Sequence, residues 1–314
     1  MGTTHHVLPR IFKKVSKFGE CPVNAQKNTI PIRRTTEQDV LRSSSVQSFG
    51  RKPMPFGNGH EVGVYMCAVG YVTGSYYGAQ ATVNLWAPKL ETPVEFSLSQ
   101  IWVLAGSFDT DLNSIEAGWM VYIYIYVFTF FLFSQWAQSD GYDQAGCYNL
   151  LCSGFVQTCT VIALGAAFSN VSSYAGDQYD IPVSVYKDQK GNGNWWVVVN
   201  GIFVGYWPSS LFTHLKDNAS MVEFGGEIVN NRSSGTHTST QMGSGHFAVE
   251  WFGRASYFRK LQVVNSLKTV VDVSNLQLKA ENENCYNIQT GETYIKDWGT
   301  YFYYGGPGRG AGCP

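Results

Sequence analysis

Two carboxylic acids in short glycine-containing motifs carry the clearest chemistry of this chain: Glu116 in Ser114-Ile115-Glu116-Ala117-Gly118-Trp119, and Glu227 in Val222-Glu223-Phe224-Gly225-Gly226-Glu227. A pair of carboxyls hydrolyses a bond in neutral or acid water when one is ionised and activates water while the other is protonated and donates to the leaving group. Glu223 rivals Glu227 for the second place, because residues four apart on an extended strand face the same side. A lone glutamate in a strand is ordinarily solvated or salt-bridged, so residue type alone does not make a dyad.

Other chemistries are weaker. Ser239 or Ser244 with His237 or His246 lacks the strand-to-helix elbow of a serine hydrolase. Asp109-Thr110-Asp111-Leu112-Asn113 opens like a calcium loop but has no Gly at the sixth position and no Glu at the twelfth, so a turn is expected. Gly305–Gly310 has no following Lys-Ser/Thr and no helix to cradle a phosphate. No basic patch suits nucleic acid, and no cofactor or metal is expected.

The elements that position these carboxyls are expected to be strands. The 314 residues include 33 Gly and 19 Tyr and are 44% hydrophobic, which suits one large β-rich core rather than disorder. Strands are expected at Ala81–Trp86, Phe96–Ala105, Thr158–Ala166, Ile181–Tyr186, Trp195–Val204, Val222–Val229 and Lys260–Val264. Asn192-Gly193 and Asn200-Gly201 signal hairpins. The fold class is therefore all-β, an antiparallel β-sandwich of two large sheets preceded by a short, mostly irregular or helical N-terminal segment. Met120–Phe133 is apolar but shorter than a membrane span, and its Tyr/Ile alternation reads as strand, so no membrane span is expected.

The first 52 residues differ in kind. They hold ten Lys/Arg against three Asp/Glu, while the remainder is acidic, so the two parts attract. A detachable pro-segment held partly by charge fits, with a capping-box helix start at Thr36 to Asp39 and an exposed linker at Arg51–Gly59 where a cut would be cheap. The division expected is 1–57 for this segment and linker and 58–314 for the main domain. Cys147 with Cys152, and Cys285 with Cys313, read as disulfides, while Cys21, Cys67 and Cys159 are left over. Sequons begin at Asn170, Asn218 and Asn231 and fit a secreted glycoprotein. Residues 1–20 have no apolar leader, so an export signal upstream of a truncated start is expected.

Several motifs in order then point to a family. Ser97–Trp102, Ile115–Trp119, Gly146–Phe155, Gly225–Glu227, His237–Gly245 and Tyr303–Arg309 together resemble the plant neprosin family from about residue 58 to the C-terminus, and Ile30–Lys52 resembles the end of its activation propeptide. The resemblance implies a secreted, acid-active glutamic endopeptidase that cleaves after proline and is made as a zymogen. It places the catalytic pair at Glu116 and Glu227, with two disulfides, Cys147–Cys152 and Cys285–Cys313. Partners so implied are a proline-containing peptide and the chain's own propeptide. Trp102 and Trp119 are candidates for a slot that takes a proline ring, against the plainer reading of both as core. The chain departs from the family pattern at Val121–Gln135, where an apolar run replaces a polar loop; a retained intron would read this way, and an altered pairing beside Glu116 would abolish activity. A glycoside hydrolase or glycan-binding β-sandwich is the alternative for paired carboxyls with exposed aromatics, and an inactive relative is the third possibility.

Overall fold

The computed structural model describes residues 29–35, 37, 40, 64–108, 110–137 apart from 125 and 126, 148–151, 153–232, 236–291 and 295–314, with the backbone alone at 122–137. In chain order the strands are β1 (Val64–Tyr76), β2 (Gly78–Asn84), β3 (Phe96–Ala105), β4 (Asn113–Tyr124), β5 (Val127–Ala137), β6 (Val156–Gln157), β7 (Asp180–Lys187), β8 (Trp195–Val199), β9 (Ile202–Trp207), β10 (Ala219–Asn230), β11 (Ser256–Val264), β12 (Val270–Asp272), β13 (Gln277–Ala280), β14 (Asn287–Thr290) and β15 (Phe302–Gly305). They form two antiparallel sheets, ordered β13-β1-β10-β3-β4-β5 and β14-β15-β11-β2-β7-β8-β9-β6, with β12 beside β11. The expected all-β sandwich is present.

Period-two patterning builds the core between the sheets. Along β7 every second residue is buried, and β8 repeats the pattern. The inner face of the six-stranded sheet contributes Ile101, Val103, Ile115, Ala117, Trp119, Val222, Phe224 and Ile228; the other sheet supplies Val83, Val183, Val185, Trp195, Val197, Phe258 and Phe302. Burying each of the larger side chains contributes about 1.5–3 kcal/mol. Polar ties cross the gap as well: Trp119 Nε1 donates to the Asn84 carbonyl at 2.8 Å, and the Ser99 and Tyr304 hydroxyls are hydrogen-bonded.

The outer face of the six-stranded sheet is buried along β3 too. All ten residues of β3 are buried, because a second apolar cluster of Phe96, Leu98, Trp102, Leu104, Met120, Val229 and Tyr148 lies on that side. Gln100, Glu116 and Glu227, polar side chains on this face, therefore sit out of water, which matters for the site below.

The expected strands hold in most places and fail in one. Phe96–Ala105 is β3, and the run Trp195–Val204 breaks at Asn200-Gly201, whose φ values of 50° and 78° make the hairpin turn between β8 and β9. Thr158–Ala166 is not a strand. Its apolar residues Ile162, Ala163 and Leu164 are buried as a loop, held by Gln157 Nε2 donating to the Cys159 and Ile162 carbonyls at 3.2 and 2.9 Å. The apolar run after Trp119 forms the β4–β5 hairpin, with Tyr124 opposite Val127. On its other side β4 pairs with β3 without a shift from Asn113 to Tyr122, so the pairing beside Glu116 is regular. Of the helix start at Thr36–Asp39 only Glu37 is described, in helical backbone; the rest of it and the Arg51–Gly59 linker lie outside the described residues.

Candidate active site

Glu116, Glu223 and Glu227 share one face of the six-stranded sheet, the outer one. Period-two alternation dictates this: their strand neighbours Ile115, Ala117, Val222, Phe224 and Ile228 all enter the inter-sheet core. β3 lies between β4, which carries Glu116, and β10, which carries the other two.

Register then separates the three. Trp102 of β3 is opposite Glu116 on one side and Glu223 on the other, so these two carboxyls lie in a single row across the strands, about 10 Å apart at their Cα atoms. Glu227 is opposite Leu98, four residues further along, and its Cα is about 16 Å from that of Glu116. Beyond Glu223 the row continues to Tyr71 of β1 and Gln277 of β13, whose Oε1 accepts from the Tyr71 hydroxyl at 2.7 Å.

The surroundings of each carboxyl differ. Glu116 is fully buried; Ser114 Oγ donates to its Oε1 at 2.9 Å and Gln100 Nε2 to its Oε2 at 2.8 Å. Glu227 is buried, and its Oε2 accepts from the Cys67 thiol at 3.8 Å. Glu223 is half-buried, and burial pushes its carboxyl up to about 7; Lys279 opposes that shift, while the negative charges of Glu227, Glu116 and Glu281 add to it.

Two glycines shape the floor. A Cβ on Gly118 would stand 2.1 Å from the Ser99 carbonyl and 2.5 Å from Gln100 Cα, and one on Gly225 would stand 2.2 Å from the Ala68 carbonyl. Both are opposite Gln100, one on each side. Sequence reading missed Gln100, although it stands in the Ser97–Trp102 motif and a buried amide two residues from each carboxyl row is the signal to look for.

Of the two tryptophans named for a proline slot, Trp102 is on the site face, and Trp119 is buried in the inter-sheet core. The plainer reading holds for Trp119. Cys285 and Cys313 are joined, with Cα atoms 5.2 Å apart. His237 packs beside that pair in the one group of metal-type ligands among the described residues, but both sulfurs are spent in the disulfide and the ring packs at a tilt against Tyr286. Cys147 and Cys152 lie outside the described residues. Among the described residues no seryl hydroxyl is bonded to a histidine ring: His237 bonds the Thr238 carbonyl, His246 bonds Glu250, and His214 bonds Asp111. Asp111 Oδ1 accepts from the Ser107 N–H at 2.7 Å, and Asp109 lies outside the described residues. Asn170 and Asn231 are exposed and Asn218 is half-buried.

Residues 93–307 match the family model described as Neprosin. The fold is also similar to solved structures of glutamic peptidases. Scytalido-glutamic peptidase with a peptide-based transition-state analogue is 14% identical, with 76% of this chain and 96% of that one covered at a TM-score of 0.41. A second structure of that enzyme, with a transition-state analogue inhibitor, is 12% identical, with 77% and 98% covered at 0.42. SCP-B of the Eqolisin family, in complex with the tripeptide Ala-Ile-His, is 12% identical, with 76% and 96% covered at 0.39. Likeness at this level fixes no residue correspondence.

Proposed function

The chain belongs to the neprosin family, and from that premise we propose that it is a glutamic-type peptidase that hydrolyses peptide bonds on the C-terminal side of proline, in acid, with water activated by two carboxyls of the outer sheet face. The observation that carries this reading is the row that places Glu116 and Glu223 on either side of Trp102. Acid–base hydrolysis needs one carboxyl that holds its proton at the working pH, and a Glu223 pushed up to about 7 does so throughout the acid range. Glu116 takes the proton from water, and Glu223 polarises the scissile carbonyl and then donates to the leaving nitrogen. Trp102, between them, offers an apolar wall to a proline ring.

Glu227 keeps a second reading. It follows the Gly225-Gly226 pair of the family-like motif, it is buried on the same face, and a thiol is only a weak donor to its Oε2.

Cleavage of a proline-containing peptide at acid pH, mapped by mass spectrometry, tests both readings. Glu116→Gln and Glu223→Gln should each lose at least about 1,000-fold in kcat, and Glu227→Gln about tenfold or less. Loss confined to Glu116→Gln and Glu227→Gln would move the second role to Glu227. A folded wild type that cuts nothing after proline would reject the peptidase reading for this chain and leave a glycan-binding or inactive sandwich.

Synthesis as a secreted zymogen completes the proposal. Supporting it, Pro31 of the basic segment is buried against the main domain, where its carbonyl accepts from Gln157 Nε2 at 3.1 Å. The exposed sequons at Asn170 and Asn231 are open to glycosylation. The separated N-terminal segment should bind the 58–314 domain less tightly as pH falls and carboxylates neutralise; binding unchanged from neutral to acid pH would remove charge as the clamp.

A further inference from the structure

We propose that Gln100 is a water-positioning residue of this site: its Nε2 fixes the Glu116 carboxyl, and its Oε1 accepts a hydrogen from the attacking water. The inference rests on Glu116 being one of the catalytic carboxyls.

Gln100 is fully buried on β3, the strand between the carboxyl-bearing β4 and β10, and it faces the same side as all three glutamates. Its cross-strand neighbours on both sides are glycines, Gly118 and Gly225. With no side chain beside it on either strand, the amide has room to lie along the sheet, and Nε2 donates to Glu116 Oε2 at 2.8 Å. The other end of the amide is the anomaly: Oε1 is buried and has no hydrogen-bond partner among the described residues. A buried carbonyl left unpaired is costly, and a fold retains one where a ligand supplies the donor.

Water is the donor that fits. Nε2 and Oε1 share one carbon, so a water hydrogen-bonded to Oε1 also lies within reach of the carboxyl that Nε2 holds. One of its hydrogens goes to Glu116 and the other to Gln100, which leaves an oxygen lone pair for the scissile carbonyl carbon. In the step that follows, the new C–O bond forms, the carbonyl electron pair moves to its oxygen, and the water proton passes to Glu116; Gln100 keeps its own protons. The amide touches the nucleophile and aims it, which is an orientational contribution.

Gln100→Leu and Gln100→Glu, assayed on the full chain beside Glu116→Gln, test this. Leucine removes both contacts at every pH, and kcat should fall about 100-fold with KM changed less than about twofold. Glutamate at 100 is the sharper probe: protonated, it presents one donor and one acceptor like the amide, and ionised it presents none to Glu116. Its activity should approach wild type at the acid end and collapse as the pH rises, a profile that a purely structural glutamine would not produce. A Gln100→Glu profile superimposable on wild type, or a Gln100→Leu enzyme with more than half the wild-type kcat, overturns the proposal. If Glu116→Gln is fully active, the dyad reading has failed instead, and Gln100 falls with it; a dead Glu116→Gln beside an active Gln100→Leu removes Gln100 alone. Thermal melting of Gln100→Glu at acid pH guards against misfolding, because an unfolded variant could not recover there.

Discussion

Two clusters of carboxyls among the described residues are treated in opposite ways. Beside the C-terminal segment, Glu91 accepts from the Ser239 N–H at 2.6 Å, from Arg309 at 2.9 Å and from Arg232, Glu95 accepts from Thr240 Oγ1 and the Asn231 N–H, and the Thr238 hydroxyl, 3.0 Å from Glu91 and 2.9 Å from Glu95, shares its one hydrogen between them. Burial on its own would raise Glu91; these hydrogen bonds and the Arg309 charge outweigh it and hold the group at about 2. On the outer sheet face, burial and neighbouring negative charge dominate, and Glu223 rises to about 7 with no hydrogen bond to it among the described residues. The difference separates structure from chemistry. A carboxylate saturated with donors stays charged in acid and pins three chain segments together; one buried among like charges holds a proton that a substrate can receive.

If that contrast is right, the donor-rich region should answer mutation with stability and the sheet face with activity. The largest stability loss is expected from Cys285→Ser, because the 28-residue separation of this disulfide corresponds to about 3.5 kcal/mol of chain entropy, and its Cys313 end secures the segment that carries Arg309. Denaturant unfolding reads it, and cleavage by the remaining folded enzyme should persist. Glu95→Leu comes next: stripping the acceptor from two buried hydroxyls and one N–H should cost about 3 kcal/mol without moving the pH profile of cleavage. A shifted profile would blur the two regions into one.

Glu223→Gln sharpens the comparison through pH. In the folded chain Glu223 binds its proton more tightly than in the unfolded chain, so the stability it contributes is complete below about 4.5 and is lost as the pH rises through about 7. Above that pH the glutamine variant should be more stable than wild type by up to about 3 kcal/mol, with no gain at pH 4. Melting curves at the two pH values decide it, and an equal gain at both would break the assignment. Arg232→Ala should matter least: its side chain is 39% exposed, so its ion pair with Glu91 contributes under about 1 kcal/mol and fades with salt.

Much of this was open to sequence reading. The alternation in Ile181–Tyr186 and in Trp195–Val199 shows which side of each strand is buried, and the Asn200-Gly201 turn follows from the φ > 0 that both residues tolerate. The motif around Glu116 singled out a carboxyl that the fold buries on the outer face, and the four-residue spacing of Glu223 and Glu227 put both on that same face. Thr158–Ala166 misled because a short apolar run has the same composition whether it crosses a sheet as a strand or fills the core as a loop. Gln100 escaped notice because a glutamine in a strand has no signature until its neighbours are known to be glycines.

Local stereochemistry explains where sequence reading stops. Side chains alternate along any strand, so residue order alone determined that Glu116 and its rivals stand on predictable faces, and that aliphatic and aromatic runs would form two layered sheets. Which carboxyls share a row was decided only in three dimensions, because the register of β10 on β3 depends on pairings across more than a hundred residues of chain, and the register on both sides of β3 on glycines that let the backbones approach. The same holds for the burial of Glu116 and Glu227 on the outer face, where apolar side chains from four strands of the sheet gather with Leu112 and Tyr148 from outside it.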